Sequence, residues 1–142
     1  MLPISGNVRC RAMSRLHHVE IWVSGLAGAR ARWDWLFREL GWAPYQDWPG
    51  GCSWRSADGA YVVLEESPDL LVDVPYDRRR AGLNHLALTA DRSTVDRLAV
   101  DGPAHGWSLL FADRHPYAGG PDTYAAYLAE PAGFEVEVVA DS

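Results

Sequence analysis

The chain has 142 residues, a net charge of −6, 48% hydrophobic and 23% charged residues. That describes one ordinary domain with enough apolar material to bury its own core, so no disulfide or zinc staple is needed for folding. The acidic balance argues against a phosphate-binding face, so no nucleic-acid partner is expected, and no run approaches the ~18–20 apolar residues of a membrane span.

Residues 1–14 carry no periodic pattern, since Pro3, Ser5, Gly6, Asn7 and Arg9 interrupt any element. They read as a flexible N-terminal extension without the apolar core of a signal peptide. Cys10 and Cys52 are the only cysteines. Two widely separated thiols make no disulfide framework, and reduced thiols in the cytoplasm are the expected state.

His17 to Val23 has strand alternation. Val19, Ile21 and Val23 share one face; His18, Glu20 and Trp22 share the other. Trp33, Leu36, Phe37 and Leu40 then recur at helical spacing, and Gly41 stops the run, so 26–40 is predicted to be an amphipathic helix. Strand-like runs follow at 42–47, 52–56 and 61–65, separated by Pro49-Gly50-Gly51 and Asp58-Gly59.

A polar linker over 67–82 follows, and its Arg78-Arg79-Arg80 run reads as solvated charge. The order then repeats. His85 to Ala90 is a strand, and Val95, Leu98 and Ala99 mark a helix over 92–101 capped by Asp91 or Ser93. Strands are expected at 107–112, 123–129 and 134–139. The chain is thus an α+β domain over 15–140, written as βαβββ twice at a period of about 65–70 residues. Module one covers about 15–66 and module two about 83–140. Two such modules side by side would leave a concave sheet surface between them.

His18 and His85 hold the same phase of the two repeats, and Glu137 lies in the closing strand between Val136 and Val138. A strand histidine or glutamate alone is ordinarily just a hydrogen-bonded or solvated side chain. Their joint placement opposite the aliphatic faces points instead to two imidazoles and a carboxylate around one divalent ion. Fe, Mn, Ni or Zn suits that donor set. Glu20, Trp22 and Glu135 share the ligand face. Glu20 is a candidate orienter or base, and Trp22 and Glu135 are candidate substrate contacts. The polar loop 114–122 holds Arg114, a candidate substrate-binding residue, and His115, the best acid–base candidate outside the metal shell. Tyr127 lies on a face with Ala125 and Ala129 and is either a catalytic or a packing residue. His17 reads as structural, and His105 as a turn residue after the second helix.

Three segments carry a family resemblance. Leu16-His17-His18-Val19-Glu20-Ile21-Trp22-Val23 resembles the opening strand of glyoxalase, bleomycin-resistance and extradiol dioxygenase modules, the vicinal oxygen chelate superfamily. Leu83-Asn84-His85-Leu86-Ala87-Leu88 resembles the start of the family's second module. Glu130-Pro131-Ala132-Gly133-Phe134-Glu135-Val136-Glu137 is similar to its closing turn and ligand strand. The resemblance covers about 15–140.

It implies a metal-dependent enzyme that chelates neighbouring oxygens of a small oxygen-rich substrate, with lyase, isomerase or dioxygenase chemistry. It assigns His18, His85 and Glu137 as ligands. Glyoxalase I relatives add a fourth ligand from the last strand of the first module. Alignment places Val63 there, with Glu65 two residues on as a substitute. A homodimer is expected, the modules pairing either within a chain or across the dimer. The alternative is a metal-free antibiotic-binding protein of the bleomycin-resistance type. The seven tryptophans suit that reading.

Overall fold

The computed structural model describes residues 12–141. Most of the expected N-terminal extension, residues 1–11, lies outside the described residues.

Module one runs β1 (His18–Trp22), α1 (Leu26–Glu39), β2 (Ala43–Trp48), β3 (Gly51–Arg55) and β4 (Tyr61–Glu65). Module two runs β5 (His85–Ala90), α2 (Arg92–Asp101), β6 (Ser108–Leu110), β7 (Ala125–Ala129) and β8 (Glu135–Ala140). The strand orders are β1-β4-β3-β2 and β5-β8-β7-β6, two separate four-stranded sheets. In each, the first strand runs parallel to the last, and the remaining pairs are antiparallel. This is the α+β fold of two βαβββ modules. β1 and β5, which begin with His18 and His85, are edge strands. Among the described residues, no helix is long and apolar enough to cross a membrane.

Both helices bury the stripe their periodicity predicts. α1 sinks Leu26, Ala29, Trp33, Leu36 and Phe37; α2 sinks Val95 and Leu98. Their starts differ. Asp91 caps α2 locally, its carboxylate accepting from Thr94 N–H at 2.7 Å. α1 begins at Gly25, whose φ of 73° is left-handed and which offers no side-chain cap. Its exposed N–H groups are met from 40 residues away: Glu66 accepts from Gly25 N–H at 3.1 Å and Leu26 N–H at 3.0 Å. Glu66 is therefore a remote cap, placed where β4 hands over to the linker.

One core runs through both modules on the helix sides of the sheets. Trp33 joins them. Its ring centroid lies 5.1 Å from that of Trp107 and 5.4 Å from that of Phe134, and it is fully buried. Trp107 donates its indole N–H to the Arg32 carbonyl at 3.1 Å. Burying a side chain of roughly 150–250 Å² at ~25 cal/mol per Å² contributes about 4–6 kcal/mol as an upper estimate. The modules therefore meet through α1 and the helix sides. The expected concave surface is not that joint. The opposite face of β1 is open, with His18, Glu20 and Trp22 all exposed.

β6 is shorter than its predicted 107–112. Phe111 adopts a left-handed φ of 55°, which takes the chain out of the β region. Beyond it, 111–124 is a succession of turns closed by Arg114 N–H to Phe111 O (2.9 Å), Tyr117 N–H to Arg114 O (2.8 Å) and Gly120 N–H to Tyr117 O (3.1 Å).

Candidate functional site

Strand register places the candidates on defined faces. In module two, His85 pairs with Glu135, Ala87 with Glu137 and Thr89 with Val139 across the parallel β5/β8 ladder. Glu137 in turn faces Tyr127 across β7. Alternation puts His85, Glu135, Glu137 and Tyr127 on the face away from the core. There His85 Nε2 comes within 3.0 Å of Glu137 Oε2.

The pair is tied in from both sides. His85 Nδ1 lies 2.7 Å from Asn84 Oδ1, and Asn84 Nδ2–H donates to the Arg78 carbonyl at 3.0 Å. The Tyr127 phenol faces Glu137. Burial first, and hydrogen bonding to Glu137 second, push its pKa up to about 12, so it remains a neutral donor at physiological pH. Gly119 passes directly over that hydroxyl, where a Cβ would lie 2.5 Å from the oxygen; only glycine allows the approach without a shift.

Glu135 is almost wholly buried, and Arg78 Nη1 lies 2.9 Å from its Oε2. A buried carboxylate needs such a partner. Arg78, read from sequence as solvated, is therefore partly buried against this face. Its guanidinium lies 6.0 Å from the Phe111 ring centroid, and that of Arg114 lies 5.0 Å from it.

Module one has the same frame and a different content. His18 pairs with Tyr61, Glu20 with Val63 and Trp22 with Glu65 across the parallel β1/β4 ladder. By register, His18 corresponds to His85 and Val63 to Glu137. The expected absence of a carboxylate at that place is a feature of the ladder itself. Glu20 sits across from Val63, where module two has Ala87. The Glu65 carboxyl is pushed above its usual range, chiefly by hydrogen bonding with Glu20. The His18 ring stacks on Tyr61 at 4.9 Å and 9°, and its Nδ1 lies 2.8 Å from His17 Nδ1. Trp22 borders a groove of about 1130 Å³ that Leu71, Val74, Tyr76 and Leu83 also line.

Within one chain, then, His85, Glu137 and Tyr127 come together, with Glu135 beside them. On the other module Glu20 and Glu65 face each other, while His18 lies at the start of β1 against Tyr61. Among the described residues, no three His, Cys, Asp or Glu side chains converge as a metal cluster. Among the described residues His115 forms no hydrogen bond with His85 or Glu137; its Nδ1 is buried without a hydrogen-bond partner. His105 stacks on Trp35 at 4.4 Å, as a structural residue does.

Sequence reasoning missed Asn84, Arg78 and the capping role of Glu66. Asn84 carried a signal, since it stands immediately before His85. Arg78 and Glu66 act across distances in sequence that no local pattern reveals.

The fold and the matching site faces define a glyoxalase-type double module. The chain belongs to the Glyoxalase/Bleomycin resistance protein/Dioxygenase superfamily, whose family model matches residues 17–127. It is 40% identical over 128 residues to the uncharacterized protein YqjT of Bacillus subtilis (strain 168), covering 89% of this chain and 99% of that one. Among solved structures, a candidate glyoxalase from Bacillus halodurans superposes with a TM-score of 0.82 at 43% identity, covering 88% of this chain and 94% of that chain. Lactoylglutathione lyase from Agrobacterium tumefaciens shares the fold at a TM-score of 0.58 and 18% identity, with 91% and 95% covered.

Proposed function

We propose that this chain is a divalent-metal-dependent enzyme acting on a small oxygen-rich molecule, with glyoxalase-like lyase or isomerase chemistry or dioxygenase-like chemistry. The observation that carries the reading is the convergence of His85 Nε2 and Glu137 Oε2 at 3.0 Å on an open strand face. An imidazole and a carboxylate this close could serve as two neighbouring ligands of one Fe, Mn, Ni or Zn ion.

The third donor, His18, lies on the other module. β1 and β5 are unpaired sheet edges and turn the same repeat phase outward, so we place His18 of a second copy against His85 and Glu137 in a homodimer. Glu65 or Glu20 then approaches as a fourth donor. A divalent ion held there supplies Lewis acidity for a developing oxyanion. The chain's own groups hold and orient: the neutral Tyr127 hydroxyl faces Glu137, Arg78 neutralises Glu135, and Trp22 lines the substrate side.

Metal analysis of protein purified without chelator, beside its mass in solution, tests this directly. The sharper test mixes His18→Ala and His85→Ala protomers. Shared sites leave one intact site in each mixed dimer, so mixing restores metal binding and turnover. If each chain builds its own site, mixing restores nothing.

A metal-free antibiotic-binding role is the second reading. The aromatic groove beside Trp22, and the lack of three converging donors among the described residues, favour it. Protein that stays metal-free after exposure to each of the four metals, yet binds an aromatic antibiotic, decides for it.

A further inference from the structure

We propose that Arg114, seated on the ring of Phe111, selects substrates that carry an anionic group, a carboxylate or a phosphonate, away from the oxygens given to the metal. The inference rests on the metal reading above for the chelating end of the substrate. For the anionic end it rests on the geometry of module two.

The turn at Phe111 comes first. Leu109 packs against the core. Strand alternation would send Phe111, two residues on, to the same side. Its left-handed φ of 55° breaks the alternation. The ring stands instead edge-on to Tyr127, with centroids 5.5 Å apart. The Tyr127 centroid in turn lies 6.1 Å from that of His85. Phe111 is thus one ring further along the open face from the histidine. An aromatic residue in that backbone region is strained, and the strain persists only where the surroundings over-determine it.

The ring so placed carries two guanidiniums, Arg78 at 6.0 Å and Arg114 at 5.0 Å from its centroid. Their charges are not equivalent. Arg78 lies 2.9 Å from the buried Glu135 carboxylate, so its charge is matched. Arg114 forms no salt bridge among the described residues, although Asp113 is its neighbour in the chain. The turn itself brings Arg114 back to the ring. Arg114 N–H and His115 N–H both donate to the Phe111 carbonyl, at 2.9 and 3.0 Å. A guanidinium held over a ring still has its fork of N–H donors for a second partner.

Charge says what that partner is. A divalent ion with two neutral imidazoles and one carboxylate keeps net positive charge, and Arg114 adds to it. Such a face favours an anion, and a guanidinium fork meets the paired oxygens of a carboxylate or phosphonate bidentately. The Tyr127 and Phe111 rings separate His85 from Arg114 along the face. The anionic group therefore belongs to a different part of the substrate from the chelated oxygens.

The test compares two probes. 2-Oxoglutarate and 2-oxovalerate offer the same neighbouring oxygens on chains of equal carbon count, and differ in ending with a carboxylate or a methyl group. In titrations of zinc-loaded protein, 2-oxoglutarate should bind about tenfold more tightly. Arg114→Gln should remove this preference and leave the affinities for 2-oxovalerate and for zinc unchanged. Arg114 is exposed, so the variant should fold, and circular dichroism checks that it does. 2-Oxo-4-phosphonobutyrate, run beside 2-oxoglutarate, shows which anion the fork takes better; the advantage of either should vanish in Arg114→Gln. Phe111 is a positioning residue. Phe111→Leu keeps Arg114 but removes its seat, and should lose most of the preference, whereas Phe111→Tyr keeps the ring and should retain it.

Equal binding of 2-oxoglutarate and 2-oxovalerate by wild-type protein overturns the proposal. So does an Arg114→Gln protein that weakens both equally or neither. An unchanged preference in Phe111→Leu overturns the role of the ring. If the protein takes up no zinc, the metal reading fails by itself. The same probes are then followed by ligand-observed NMR on metal-free protein, where a preference for the dicarboxylate and its loss in Arg114→Gln still decide for or against Arg114.

Discussion

The two modules share a backbone plan and differ in how finished their open faces are. In module two the histidine is held at both nitrogens, its carboxylate neighbour meets a tyrosine, and the next acid is buried against an arginine. In module one the corresponding histidine is exposed, a valine stands at the carboxylate position, and two glutamates face each other; neither forms a salt bridge among the described residues. Module two's open face is tied by side-chain contacts, and module one's is less so. Under the proposed shared site, the two repeats would divide its labour between copies of the chain.

The largest expected effect bears on whether the halves are one unit at all. Trp33→Ala empties the joint between α1, Trp107 and Phe134, and should cost about 3–5 kcal/mol. Because the core is shared, denaturant melts followed by signals from each module should shift together. Separate transitions would show that the modules are independent domains and that the comparison is between two proteins in one chain.

Next comes the asymmetry in ligands. Glu137→Gln should abolish most metal binding, a loss larger than the 10–100-fold typical of an outer partner. Glu65→Gln should change it by much less, since its place in the ladder lies two residues beyond that of Glu137. Isothermal titration with zinc compares them, and equal losses would make the two halves equivalent.

Val63→Glu sharpens the same point from the other side. It installs in β4 the carboxylate that β8 has, at the register position of Glu137. Apo stability should fall by about 1–3 kcal/mol or more, because the site is nearly buried and the new acid has no partner. Zinc should bind more tightly and restore part of that loss. Tighter binding with no recovery of stability, or the reverse, would dissociate Val63 from the site.

Much of this was legible in the sequence because the information is periodic. Alternation in His18–Val23 and His85–Ala90 set which side chains share a face, and helical spacing in α1 and α2 set their buried stripes. The repeat phase paired His18 with His85, and alignment with the family put Val63 at the ligand place of the first module. What the sequence hid is non-periodic. Arg78 reaches Glu135 by folding the linker back over module two. The turn run after β6 depends on a left-handed Phe111, an unfavourable conformation for that residue that only the surrounding packing imposes. How the modules face each other depends on Trp33 meeting Trp107 and Phe134. No local pattern in any of those segments records it.

The smallest effect concerns how the two helices are started. Asp91 caps α2 from the adjoining residue, while Glu66 caps α1 from the end of β4, so the same task is done locally in one module and at long range in the other. Both carboxyls are held below their ordinary values, Glu66 by the Leu26 and Gly25 N–H groups, Asp91 chiefly by its bonds to Thr94. A depressed folded pKa means that the stabilisation is present above the unfolded value, 4.5 for Glu66, and is lost as pH falls through the folded one. Asp91→Asn should be nearly silent at neutral pH, since asparagine caps as well as aspartate. Glu66→Gln removes a charge from the positive end of α1, and should lower the melting temperature slightly at neutral pH. The gap from wild type should close as pH drops below 4.5 and Glu66 itself becomes neutral. Thermal melts across that range provide the check. A gap that does not change with pH would mean that Glu66 acts through its shape alone, and that the two helix starts are equivalent after all.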